Sequence, residues 1–103
     1  GAFITGVPSP APLYRAASMD ETRLNRIRFR AWRRGFREAD LILGPFSDLH
    51  ARAMSAEQLD RLEHLLDQDD HELYAWILGE AETPAEFEHD VMAQLRAFKQ
   101  GAR

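Results

Sequence analysis

Residues 23–40, RLNRIRFRAWRRGFREAD, set the terms for the whole chain. Leu24, Ile27 and Ala31 recur at the spacing of one helix face, so the stretch opens as an amphipathic helix. Seven of residues 23–37 are arginine: Arg23, Arg26, Arg28, Arg30, Arg33, Arg34 and Arg37. Phe29, Trp32 and Phe36 are interleaved and lysine is absent. Arginine carries a planar fork that pairs bidentately with carboxylate or phosphate and stacks on rings, so this helix wants an anionic partner. Gly35 then interrupts it, at a cost of about 1 kcal/mol against alanine inside a helix. Two uses explain that glycine. It caps the helix with positive φ, or it lets a partner's backbone or a ligand approach closely. Arg34 and Glu38 stand four apart, a spacing worth roughly 0.2–0.5 kcal/mol as a pair across one helical turn.

Outward from this segment the pattern stays helical. Ser18-Met19-Asp20-Glu21 has capping-box spacing, which starts the first helix near Asp20. A second helix is expected from about Phe36 to His50, with Leu41, Ile42, Phe46 and Leu49 as its apolar stripe and a kink at Pro45. Ser55-Ala56-Glu57-Gln58 is a second capping box, opening a helix that turns Leu59, Leu62, Leu65 and Leu66 inward. Asp69-Asp70-His71-Glu72 starts a short fourth helix carrying Leu73, Trp76 and Ile77. Thr83-Pro84-Ala85-Glu86 reads as the strongest start signal, combining an N-cap, a first-position proline and Glu three residues on. It predicts a final helix of about 17 residues, about 25 Å long, marked by Phe87, Val91, Leu95 and Phe98. Val and Ile together occupy only six positions, leaving little material for strands. The fold class read from this is all-α, a compact five-helix bundle. Residues 1–19, with Pro8, Pro10 and Pro12, read as an unstructured leader, and 20–100 as the helical domain.

Composition narrows the chemistry. The 103 residues fit one domain. With no cysteine, disulfides, thiolate metal sites and a cysteine nucleophile are excluded. His50, His64, His71 and His89 have no ligand spacing, so no metal site is expected. Asp69 and Asp70 sit at a helix start, where capping and the helix dipole account for them. There is no phosphate loop and no nucleophile elbow, and no catalytic or cofactor-binding residue is assigned. No apolar run reaches the roughly 20 residues of a bilayer span, and no secretory or mitochondrial presequence is read, so a bacterial cytoplasmic location is expected. The net charge of −4 is polarised: residues 1–54 carry nine basic against five acidic residues, and 55–103 carry four against twelve. Two differently charged faces are one reading of this; solvated helix surfaces that happen to differ in sign are the other.

Arg34-Gly35-x-x-Glu38, between a basic first helix and a proline-containing second one, resembles the SdhE family of succinate dehydrogenase flavinylation assembly factors. The likeness extends over Arg33-Arg34-Gly35-Phe36-Arg37-Glu38-Ala39-Asp40, then Pro45-Phe46, Leu65-Leu66-Asp67-Gln68-Asp69-Asp70 and Leu73-Tyr74-Ala75-Trp76-Ile77, collinear across roughly residues 22–98. The resemblance implies a five-helix chaperone-like protein that is not itself an enzyme. It implies binding to the flavoprotein subunit of succinate dehydrogenase, and in some bacteria of fumarate reductase. It also implies promotion of covalent FAD attachment there, with no cofactor of the chain's own. The motif residues become Arg34, Gly35 and Glu38, with Arg33, Arg37 and Asp40 as neighbours on the partner-binding surface. On this reading Gly35→Arg and Glu38→Ala leave the fold intact and lower flavin attachment. A monomer is expected, with no membrane insertion and no nucleic acid bound. The competing reading is a small nucleic-acid-associated or antitoxin-like regulatory protein using the arginine-rich helix. A direct FAD binder and an inert structural bundle are further alternatives.

Overall fold

Helix ends are fixed by whichever groups answer the backbone donors left open at each start. The computed structural model describes residues 10–101, with side chains described from 21 to 99. Five helices follow one another: α1 Pro10–Ala31, α2 Arg37–His50, α3 Ala56–Leu66, α4 Asp70–Leu78 and α5 Asp90–Gly101, with 3-10 turns at Ala51–Ala53 and Ala85–Phe87. No strand occurs among the described residues, and the expected all-α five-helix architecture is the one adopted.

The α3 box forms as read. Ser55 Oγ accepts from Gln58 N at 3.2 Å, and Gln58 Oε1 accepts from Ser55 N at 3.0 Å. At α4 one side chain suffices: Asp69 Oδ2 accepts from both His71 N and Glu72 N, each at 3.1 Å.

Three expectations need correction. First, α1 starts at Pro10 and not near Asp20. A proline in a first turn removes a donor that has no helical acceptor anyway, so Pro10 and Pro12 are compatible with that start. The remainder of the expected leader, residues 1–9, lies outside the described residues.

Second, the α2 stripe is rotated in part. Ala39, Leu43 and Phe46 are buried, while Leu41 and Leu49 are exposed. Of the expected stripe, Phe46 is buried and Ile42 packs against the core, while Ala39 and Leu43 take the inward places given to Leu41 and Leu49. Pro45 lies inside α2, which continues on both sides of it.

Third, Thr83-Pro84 opens only the 3-10 turn, and α5 is 12 residues long, about 18 Å. The Thr83 hydroxyl makes no cap bond there and accepts from Arg96 Nη2 at 2.8 Å. Arg96 also donates to the Trp76 carbonyl and to Glu88 Oε1, at 3.3 and 2.9 Å, tying the end of α4 and the following loop to α5. The true start of α5 is served by His89, whose Nδ1 accepts from Met92 N at 3.2 Å.

The core is one cluster. Leu24, Ile27 and Ala31 meet Leu43 and Phe46 from α2, Leu62, Leu65 and Leu66 from α3, Leu73 and Ile77 from α4, and Val91, Met92 and Leu95 from α5. Phe87 is buried against Trp76, with ring centroids 5.2 Å apart. α5 lies against α2, α3 and α4, and α1 against α2 and α3. This leaves the α1–α2 junction over the α3–α4 junction, where the motif residues fall.

Candidate docking site at the α1–α2 junction

After α1 closes, with Trp32 N bonded to Arg28 O at 3.0 Å, the chain must reverse within five residues to enter α2. Arg34 anchors that reversal. Its side chain points inward and the residue is 6% exposed. One guanidinium nitrogen, Nη2, donates to the Gln68 carbonyl at 3.0 Å and pairs with Asp70 Oδ1 at 2.8 Å. Its backbone N–H donates to Asp40 Oδ1 at 2.6 Å. The arginine thus stitches the α1–α2 junction to the α3–α4 junction. The pairing with Glu38 across one turn does not form. Glu38 is exposed and makes no ion pair with any described residue.

Gly35 has the positive φ expected of it but does not cap α1, which ends at Ala31, and the close approach it permits is internal. Its φ is +115°, and a Cβ built there would lie 2.6 Å from Asp70 Oδ2. A side chain at 35 is therefore strained in backbone and collides with the carboxylate that holds Arg34. The expectation that Gly35→Arg leaves the fold intact fails on this geometry. Phe36 follows in extended conformation and stacks face to face on His71, centroids 4.5 Å apart, with Tyr74 edge-on at 5.1 Å.

Six residues were singled out in the sequence, and the structure brings them together with different roles. Arg34, Gly35 and the half-buried Asp40 build the junction. Arg33, Arg37 and Glu38 are exposed around it. Arg33 holds its guanidinium 4.4 Å above the Phe29 ring.

The charge polarity of the sequence is largely internal complementarity. Arg23 pairs with Asp60 and Glu63 at 2.6 and 2.9 Å, Arg30 with Asp67, and Arg34 with Asp70, so the basic helix lies along the acidic α3–α4 side. Those bonds hold the Arg23 guanidinium above its ordinary value, with Glu63 the largest cause. Toward α2, Arg28 pairs with Asp48 at 2.7 Å, and Arg52 holds Glu21 below the usual carboxylate range through a hydrogen bond.

Several residues of the site escaped the sequence reading. Asp70 was explained as a cap, yet Asp69 alone caps α4; a second carboxylate with no capping duty was the available signal. Gly44 was passed over. A Cβ there would fall 2.3 Å from the Trp32 ring, so the missing side chain is what lets the indole lie on α2, its Nε1 donating to Asp48 at 3.1 Å. A glycine in a helix interior is itself the signal for such an approach. Gln68 contributes only its carbonyl, which no sequence pattern reveals.

Among the described residues no group of three or more His, Asp or Glu could hold a metal ion, and no helix is long and apolar enough to cross a membrane. A cavity of about 550 Å³, lined by His50, Met54, Gln58, Gln94 and Phe98 among others, shares no residue with the junction.

The site is thus a surface turn of an all-helical module, fixed by bonds within the chain and surrounded by charged and aromatic side chains. A family model described as "Flavinator of succinate dehydrogenase" matches residues 25–99. The chain belongs to that family. It is similar to the FAD assembly factor SdhE of Acetobacter pasteurianus, 39% identical over 64 residues, covering 62% of this chain and 59% of that protein. It is also similar to mitochondrial succinate dehydrogenase assembly factor 2 of Dictyostelium discoideum, 37% identical over 67 residues, 65% of this chain and 48% of the relative. The same-named protein of Aspergillus terreus is 35% identical over 78 residues, 73% of this chain and 26% of the relative. The chain spans about half or less of the length of most of these curated relatives.

Proposed function

We propose that this chain docks on the flavoprotein subunit of succinate dehydrogenase and promotes covalent attachment of FAD to that subunit. Family membership supports the partner. The observation that carries the site is the in-chain fixation of Arg34 beside Gly35, which turns a five-residue reversal into a rigid platform presenting Arg33, Arg37 and Glu38. Arg34 and Gly35 are positioning residues in this scheme; the three exposed side chains make the contact. Flavin chemistry stays with the partner. A helper that holds a segment of the flavoprotein in the reactive arrangement raises the rate by orientation alone, and needs no proton donor or cofactor of its own. The fumarate reductase flavoprotein is a second partner under the same proposal. So are a monomeric state and a bacterial cytoplasmic location, the Acetobacter relative favouring the latter.

The nucleic-acid reading loses its main support, because four of the seven clustered arginines are neutralised inside the chain. Co-expression with the flavoprotein subunit tests the proposal. In-gel flavin fluorescence of the subunit should rise with this chain present and fall back with Glu38→Ala. Unchanged fluorescence with and without the chain refutes it.

A further inference from the structure

Ten arginines have described side chains, and seven of them are in ion pairs. The other three are Arg26, Arg33 and Arg37, none of which pairs with a described carboxylate. They are not scattered. Arg26 and Phe29 fall at i and i+3 of α1, on the side opposite the buried Leu24, Ile27 and Ala31, and Arg33, just past the helix end, places its guanidinium over the Phe29 ring. Arg37 and Leu41 stand on the side of α2 that also carries Gly44 and Asp48, where Trp32 lies. Phe29, Trp32 and Leu41 are 61%, 40% and 51% exposed. Unpaired cations and the exposed rings of the helix therefore coincide on one surface, running from the junction back along α1. Exposed aromatic residues beside arginines are the composition of an interface centre.

We infer that this stripe, Arg26–Phe29–Arg33 with Trp32, Arg37 and Leu41 beside it, is a docking surface for a folded protein bearing separated surface carboxylates around an apolar recess that receives Phe29. The inference rests on the function proposed above and extends the contact beyond the motif, along the outer face of α1. The choice of occupant follows from what flanks the stripe. Asp48 lies on its α2 side, Asp60, Glu63 and Asp67 on its α3 side, and Glu38 stands free at its end. A broad polyanion, either a phosphate backbone or an anionic bilayer, laid over this face meets those carboxylates as well as the three cations. Discrete carboxylates on a shaped protein surface meet the cations alone. Phe29, with the Arg33 guanidinium 4.4 Å above its ring, offers an arginine–aromatic pair whose cation can take a carboxylate.

The test is titration calorimetry of the full chain against purified succinate dehydrogenase flavoprotein subunit. Arg26→Glu with Arg33→Glu should weaken binding by about a hundredfold, and Phe29→Ala by about tenfold. Arg61→Gln, which breaks a pair with Asp90 elsewhere, should stay within about twofold. Milder Arg26→Gln and Arg33→Gln variants, with helicity checked by circular dichroism, keep the test valid if charge reversal disturbs folding. Wild-type binding retained in all stripe variants overturns the inference while leaving the proposed function standing. No binding by the wild type overturns both. Equal or tighter binding to duplex DNA or to phosphatidylserine vesicles, lost in the same variants, replaces the protein occupant with a polyanion.

Discussion

Gly35 and Asp70 should be energetically coupled, and a double-mutant cycle measures by how much. Gly35→Ala places a Cβ at φ +115° and 2.6 Å from Asp70 Oδ2. The backbone part of the penalty is about 1–2 kcal/mol, as for any L residue forced to positive φ. The steric part cannot be absorbed by Asp70 without loosening its bond to Arg34, whose guanidinium is nearly buried. Asp70→Ala alone leaves that guanidinium with the Gln68 carbonyl as its one remaining protein partner, because Arg34 Nε already lacks one. Breaking a buried pair from one side costs roughly 3–5 kcal/mol. Asp70 itself is a third exposed, so about 2–3 kcal/mol is the expected loss here.

In the Asp70→Ala background the steric part of Gly35→Ala disappears and only the backbone strain remains. The two substitutions together should therefore cost about 1–2 kcal/mol less than the sum of their separate costs. Urea denaturation followed by far-ultraviolet circular dichroism reads all four corners, and each kcal/mol should move the thermal midpoint by about 4–8 °C in a domain of this size. Additivity within about 0.5 kcal/mol would show that Gly35 and Asp70 do not share the contact, and the account of the motif as an internal clamp would fall.

Gly44→Ala gains about 1 kcal/mol of helix propensity but drives the Trp32 indole off α2, for a net loss of about 1–2 kcal/mol; tryptophan emission should shift to the red as the ring enters water. Glu38→Ala should leave the unfolding free energy within about 0.5 kcal/mol of wild type while lowering flavin attachment to the proposed partner, since the side chain pairs with no described residue. Burial, the largest cause, holds the His89 imidazole below its ordinary 6.5, where its neutral Nδ1 accepts from Met92 N. The unfolded chain then takes up a proton near pH 6.5 that the folded chain refuses. Stability from this group is complete above pH 6.5 and declines as pH falls through the window below it, a decline that His89→Gln should flatten. Glu21, Glu88 and Asp90 are held below their ordinary 4.5, 4.5 and 3.8, chiefly by hydrogen bonds from Arg52, Arg96 and Gln58, so a second decline should begin below pH 4.5.

The parts of the fold legible in the sequence are those written in local chemistry. Ser55 with Gln58, and Asp69 before an apolar run, act within four residues of themselves, and their helices start where the residues say. Thr83-Pro84 carries equally good local chemistry and stops after one turn, its threonine hydroxyl bonded to Arg96 thirteen residues on. The α2 stripe was half misread. Leu41 and Leu49 outrank Ala39 in hydrophobicity, yet Ala39 turns into the core with Leu43 and Phe46. At the site, the motif residues were legible and their partners were not: Asp70, the Gln68 carbonyl and Asp40 become partners of Arg34 only once two helix junctions are stacked.

That stacking also explains why the motif proposed for docking is half buried. A surface loop that presented Arg34 directly would have to order five residues upon binding, at about 1–2 kcal/mol of backbone entropy each. Here the reversal is already fixed in the free chain by the Arg34–Asp70 pair, the Asp40 bond to the Arg34 backbone and the Phe36–His71 stack. The ordering cost falls on folding, where the core offsets it, and under the proposed function the exposed Arg33, Arg37 and Glu38 meet the partner preset. Gly35 is required for that economy and contributes no contact of its own. A substitution at 35 should therefore weaken docking through the disposition of its neighbours, and the loss should be shared by Asp70→Ala, a residue on another helix.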